Sequence, residues 1–151
     1  MKHPVKHQKK HIFEQKVYYS DTDAYGVVWH GSYLRWLEMG RVELCELMGH
    51  SLVALSAQNI TLPVVNLNVR YKSSAKLNDE MIIETSILKY TPLVVTFEQK
   101  IIDKHTKKVF AEALIEVVAI DNNGKLYRKM PQILLDAFEN ATAESLILTK
   151  E

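Results

Sequence analysis

One stretch of helical periodicity, set among strand-like runs, constrains this chain more than anything else in it. Leu34, Leu37, Arg41, Leu44 and Met48 recur at steps of three or four, with Leu47 beside the stripe, the signature of a long amphipathic helix. Arg41 interrupts the apolar face and must either snorkel or pair. Ser32 is a candidate N-cap, although Arg35 rather than an acid occupies the third position after it, and Gly49 suits a C-cap. A short second helix is expected over 51–58. Beyond Pro63 the period changes to two, and only strands follow until residue 131. A single long helix must bury its stripe, and the face of the following sheet is the surface on offer.

The expected strands are 12–19, Val64–Tyr71, Glu80–Tyr90, 93–103 and 107–121, with a further short one at Leu126 and Tyr127. Thr91-Pro92, Lys104-His105-Thr106 and Asn122-Asn123-Gly124 supply the turns, and a last short helix is expected over 133–139. Links this short favour antiparallel neighbours. The fold class is therefore α+β, one curved antiparallel sheet wrapped around a long central helix. At 151 residues and 47% apolar composition, the chain reads as a single domain, 1–151, with a real core.

Charge and composition narrow the partners. The formal net charge is +1, so no general field draws the chain to nucleic acid or to a membrane surface. Residues 1–11 are the exception, with four lysines and three histidines. They read as a flexible, solvated tail in preference to an anion-binding arm. No apolar run approaches the roughly 20 residues of a membrane span, and none comes after the N-terminal charges as in a secretory signal. Cys45 is the single cysteine. It sits between Leu44 and Leu47 and is expected as a small core residue. The default location is the cytoplasm.

The chemistry concentrates in residues 17–41, VYYSDTDAYGVVWHGSYLRWLEMGR. A strand-like run ends in Asp21-Thr22-Asp23, turns at Gly26, and enters the helix through His30-Gly31-Ser32. This sets a carboxylate close to the unpaired amides of a helix start, a pairing suited to attack on a polarised carbonyl. The run Tyr19 to His30, with Tyr33-Leu34, Leu37-Glu38 and Arg41, and downstream Pro63-Val64-Val65, Val69-Arg70-Tyr71 and Asp79, resembles the hotdog-fold acyl-CoA thioesterases. The branch is the one that includes the 4-hydroxybenzoyl-CoA thioesterase and the Tol-Pal-associated thioesterases, and the likeness runs over residues 13–131.

The resemblance implies hydrolysis of an acyl-CoA thioester to free acid and CoA. It puts the catalytic aspartate on Asp23 and a carbonyl-polarising helix-start amide at His30, where many relatives also carry histidine. Tyr25 departs from the small residue common there and bears on acyl size. The resemblance further implies homodimers, or homotetramers built from them, with sites between subunits. CoA belongs to the substrate, so no cofactor is expected.

Residue by residue, alternatives stand beside these roles. Asp23 is a base or a nucleophile, or it only caps a turn. Asp21 either repels Asp23 across a continued strand or, as preferred here, holds the turn through backbone amides. His30 contributes its amide, its imidazole, or mere packing. Tyr25, Gly26, Val27, Val28, Trp29 and Tyr33 are candidates to line the acyl site, and Gly26 to take positive φ. Glu38 either approaches the reaction centre of a neighbouring chain or, more cheaply, pairs with Arg35 or Arg41. Arg70, Lys72, Ser74, Lys76 and Lys89 are candidates for CoA phosphates, as is Ser73, and the lysines of Lys107-Lys108 are weaker ones. No second histidine stands at ligand spacing on the helix, so no metal is expected. Two other classes compete: a hotdog-fold enoyl-thioester hydratase or dehydratase, and a non-catalytic acyl-thioester binder. Either CoA or an acyl-carrier protein can carry the thioester, since both present the same arm.

Overall fold

The computed structural model describes residues 10–142, and the backbone alone at 5–6 and 144–145. The sheet contains β1 (Lys10–Lys16), β2 (Val64–Tyr71), β3 (Glu80–Tyr90), β4 (Val95–Asp103) and β5 (Val109–Val117). Its spatial order is β1-β3-β4-β5-β2, antiparallel throughout. Helix α1 (His30–Leu47) crosses one face, α2 (Leu52–Ala57) comes next, and α3 (Gln132–Thr142) closes the end near β3. This is the expected hotdog architecture. Val5–Lys6 pairs with Glu144–Ser145; the rest of the expected tail before Lys10 lies outside the described residues. No helix among the described residues is long and apolar enough to cross a membrane.

Cross-strand rows show how the sheet holds the helix. One runs Phe13, Ile83, Ile101, Ala111, Tyr71; the next runs His11, Thr85, Gln99, Ala113, Val69. Both lie on the side that faces α1, and their central members are buried. The helix answers with Tyr33, Trp36, Leu37, Gly40, Leu44 and Cys45. The buried stripe is thus rotated from the expected one. Leu34 and Met48 are only half-buried and Leu47 is exposed, because the aromatic rings of Tyr33 and Trp36 fill the sheet-facing side. Gly40 is where α1 comes closest to the sheet: a Cβ there would meet Thr85 Oγ1 and Gln99 Nε2.

Several boundaries differ from the sequence expectation. The first strand starts at Lys10 and stops at Lys16, because the Tyr18 N–H donates to Asp21 Oδ2 at 2.9 Å and draws residues 19–21 into a 3₁₀ turn. Lys10 and His11 are therefore sheet residues, and His11 Nε2 lies 2.9 Å from Glu43 Oε2. Ser32 is not the cap of α1; Trp29 is, without a side-chain cap bond. The fourth and fifth strands are shorter than expected. Directly past Val117 the strand gives way to single bridges, from Ile120 to Thr61 and to Leu126. Gly49 does end α1 in the left-handed region (φ +94°), and Ser51 does cap α2.

Strand β2 forms over the expected residues but is an outer strand. Val64, Val65, Leu67 and Tyr71 are 43%, 58%, 44% and 46% exposed, and among the described residues β2 pairs with β5 alone.

Candidate active site

The segment between β1 and α1 is tied into one unit by Asp21. This carboxylate is buried, accepts from the Tyr18 amide, and bonds the Arg35 guanidinium. Its backbone carbonyl accepts from Trp29 N–H at 2.9 Å and from Ser32 Oγ at 3.0 Å. Asp21 therefore holds the turn, as expected, and also fastens it to the first turn of α1. Arg35 pairs with Asp21 rather than with Glu38. A buried carboxylate needs such partners, since burial without them strongly disfavours its charge.

Asp23 sits in the turn so anchored. Asp23 N–H donates to Val27 O (2.9 Å), Gly26 N–H donates to Asp23 O (3.0 Å), and Gly26 takes φ +78°. The space around Gly26 is open, so it is the backbone angle that asks for glycine. Asp23 Oδ1 accepts from Tyr25 N–H at 2.8 Å. Among the described residues Oδ2 has no hydrogen-bond partner, and the residue is half-buried.

The start of α1 supplies the electropositive group. With Ser32 N–H given to Trp29 O and Trp29 N–H to Asp21 O, the amides of His30 and Gly31 have no acceptor among the described residues. The Trp29 ring lies over Gly31 so closely that a Cβ there would collide with it. The His30 ring stands 5.1 Å from that of Trp29 and 6.4 Å from that of Tyr71, centroid to centroid. Tyr71 Oη donates to His30 O at 3.0 Å and so pins the outer strand to the helix start.

A cavity of about 140 Å³ opens here, lined by Val28, His30, Tyr33, Tyr71, Ser73 and Ser74. Tyr33 Oη accepts from Ala75 N–H at 3.0 Å, and Ala75 O accepts from Val28 N–H. Burial pushes the Tyr33 phenol above its ordinary range; the Ala75 bond works against this, and Tyr71 and Asp79 add to it. Burial raises Tyr71 as well. Both phenols are neutral hydrogen-bonding groups near neutral pH.

Of the expected site residues, His30, Val28, Tyr33 and Ser74 thus share one cavity, and Ser73 joins them with its hydroxyl given to Val109 O at 2.7 Å. Asp23 is not in its lining; it is joined to it through the Asp21 anchor. Tyr25 is 91% exposed and Trp29 is 51% exposed. Lys76 lies beside the turn, its backbone bridged to Val27. Arg70 and Lys72 do not converge on the cavity. Strand alternation turns them to the face away from Tyr71, where Arg70 stands opposite Glu112 and Lys72 Nζ lies 3.5 Å from Glu112. Lys89 is at the α3 end of β3, beside Tyr90, whose ring packs on Phe138. Tyr71 was legible only as a strand residue, since its partner lies 41 positions away in sequence.

The family model described as the thioesterase-like superfamily matches residues 17–138. The chain belongs to this superfamily. It is 32% identical over 124 residues to the acyl-CoA thioester hydrolase YbgC of Escherichia coli, covering 82% of this chain and 92% of that protein. It is 31% identical over 110 residues to the acyl-CoA thioesterase YbgC of Haemophilus influenzae, covering 72% and 79%. Among solved structures, a DHNA-CoA thioesterase from Staphylococcus aureus superposes with a TM-score of 0.80 at 27% identity, over 89% of this chain and 91% of that one. A 1,4-dihydroxy-2-naphthoyl-CoA thioesterase from Synechocystis superposes at 0.78 over 86% and 96%; at 20% identity it bears on the fold alone.

Proposed function

We propose that this protein hydrolyses acyl thioesters of CoA, or of an acyl-carrier protein, with Asp23 as base or nucleophile and the α1 N-terminal amide at His30 polarising the carbonyl. The carrying observation is the Asp21 anchor. One buried carboxylate fixes the turn that bears Asp23 to the helix start, where two N–H groups have no acceptor among the described residues. On the base route, Asp23 takes a proton from water as the water oxygen bonds the carbonyl carbon. The oxygen's charge develops against the helix-start amides, where the macrodipole favours it. Collapse breaks the C–S bond, and the departing thiolate takes the proton. The Oδ2 lone pairs of Asp23, without a partner among the described residues, serve either this route or direct attack.

The membership and the YbgC relatives support thioester chemistry in general. The branch is the 4-hydroxybenzoyl-CoA and Tol-Pal-associated one, a reading that rests on the motif from Tyr19 to His30. Val28 and Tyr33 hold the acyl group in this reading, with Tyr25, Gly26, Val27 and Trp29 framing its mouth. Ser74 and Lys76 remain the CoA contacts closest to the cavity. The open edge of β2 is where a second copy adds to form a homodimer, and pairs of dimers form a homotetramer. The enzyme works in the cytoplasm.

The test is release of free thiol from a panel of acyl-CoA thioesters, run with Asp23→Asn beside the wild type. Turnover by the wild type and near-loss in the variant is expected. Equal turnover in the two would remove Asp23 from the mechanism. Water addition to an enoyl-CoA without thiol release would instead select the hydratase class.

A further inference from the structure

One turn into α1, the wall of the His30 cavity contains a buried hydroxyl with a proton to spare. Tyr33 is 3% exposed, and its ring packs on those of Trp36 and Tyr71, at 5.6 Å and 5.4 Å centroid to centroid. Its Oη accepts the Ala75 N–H at 3.0 Å. Ala75 follows directly on Ser73 and Ser74 of the cavity wall, and its carbonyl accepts from Val28 N–H, so the hydroxyl is fixed at that wall. A phenol also carries one O–H donor. Among the described residues this proton has no acceptor. The Asp79 carboxylate acts on the phenol through space, but its Oδ2 takes Lys76 N–H, and no hydrogen bond joins it to Tyr33.

The other polar groups of the cavity differ from it. Tyr71 Oη has given its proton to His30 O and Ser73 Oγ to Val109 O, so toward a ligand both only accept. The His30 ring and Ser74 are exposed, and water serves their polar atoms. Tyr33 is a donor taken out of water, and a buried donor left without an acceptor is costly. An oxygen brought into the cavity relieves that cost, whereas a hydrocarbon of the same shape does not. His30 and Tyr33 stand three positions apart on one face of α1, and the cavity measures about 140 Å³. An oxygen that reaches Tyr33 from a carbonyl held at His30 is therefore borne close to that carbonyl.

We infer that Tyr33 is a specificity residue: its Oη–H donates to an oxygen on the acyl chain, so that acyl groups with a keto or hydroxyl oxygen near the thioester carbonyl are preferred over hydrocarbon chains of equal shape. This rests on the thioesterase reading and deepens it. Trp36 and Tyr71 hold the ring, and Ala75 N–H holds one lone pair of the oxygen. The O–H torsion alone is left to turn toward a ligand. The substrate oxygen thus takes the acceptor's place that no described residue fills.

The experiment compares kcat/KM for acetoacetyl-CoA and isovaleryl-CoA, which differ by a keto oxygen in place of a methyl group, in the wild type and Tyr33→Phe. A keto group also activates the thioester, so the quantity read is the change in the ratio between the two proteins. That ratio cancels any loss of folded enzyme from the orphaned Ala75 N–H. The preference for acetoacetyl-CoA should fall at least about tenfold in Tyr33→Phe; an unchanged ratio would overturn the inference. A second measurement needs neither the variant nor turnover. Calorimetry on the wild type compares two thioethers of CoA, with an oxobutyl and an isopentyl group in place of these acyl groups. Apolar burial alone favours the isopentyl compound. Tighter binding of the oxobutyl compound, by about threefold or more, supports the donor; equal or reversed affinities, or no binding of either, overturn it. If neither thioester is cleaved, the thioesterase reading fails separately, and the thioether pair still decides.

Discussion

Asp21 and Asp23 are the same residue type, two positions apart, and the structure treats them in opposite ways. Asp21 is buried, with an arginine, a backbone amide and two further donors on its carbonyl, so its bonding capacity is consumed by the fold. Asp23 is half-buried, bonds one amide of its own turn, and keeps an oxygen without a partner among the described residues. The contrast teaches that satisfaction, more than residue type or motif position, separates a structural carboxylate from one available for reaction.

The sharpest way to break this comparison is at Asp23. Asp23→Asn keeps the Asx bond to Tyr25, so its melting temperature should stay near wild type while kcat falls by about 10²- to 10⁴-fold. A matching fall in stability would mean that Asp23 is structural after all. Asp21→Ala should do the reverse. It strips the acceptor from Tyr18 N–H and unpairs Arg35, and we expect a loss of about 3 kcal/mol in chemical denaturation. Because Arg35 is 59% exposed on its side chain, water takes up part of that charge, and a loss much above this would be unexpected. Activity per folded molecule should change less than in Asp23→Asn.

Tyr33→Phe tests the same logic at one neutral bond. It leaves Ala75 N–H buried without an acceptor, and a loss of about 1 to 3 kcal/mol is expected. The smallest effect is on the alkaline limb of stability. Tyr33 has a folded pKa above its unfolded value of 10.0. The native state therefore holds a proton that the unfolded chain gives up as pH passes about 10. That stability is fully present below pH 10.0 and is lost as pH climbs toward the folded value. Equilibrium unfolding between pH 9 and 11, on the order of one unit either side of the free phenol, should show a shallower decline in Tyr33→Phe.

The sequence carried the architecture because period and punctuation are local. The alternation over Val64–Tyr71 and Glu80–Tyr90, Gly49 after the helix, and Asn122-Asn123-Gly124 all act within a few residues, and the elements formed where those signals stood. Partners across the fold were not legible. Arg35 looked like a surface partner of Glu38 and went to Asp21; Arg41 went to Gln99, 58 positions on. Arg70 and Lys72 looked like phosphate ligands because they flank a strand end, but strand alternation set them on the face opposite Tyr71. Ser32 looked like a cap, and its hydroxyl instead reached back to Asp21 O. In each case the deciding contact joins segments that only the closed sheet brings together.

The outer strand β2 carries its own instructions for whatever is laid beside it. On one side it shows Val64, Leu67 and Tyr71, partly exposed; on the other, Asn66 bonded to Glu116 and Arg70 set against Glu112, with Val65 the extra residue where the register shifts between Val64 and Asn66. A slip of one residue inverts a strand's two sides. An incoming strand displaced by one position would press its oily row onto the carboxylates and its polar row onto leucine and tyrosine. The margin of the sheet is thus a two-sided stencil, tolerant of few sequences and of one alignment, which is how an uncovered ladder stays selective instead of sticky.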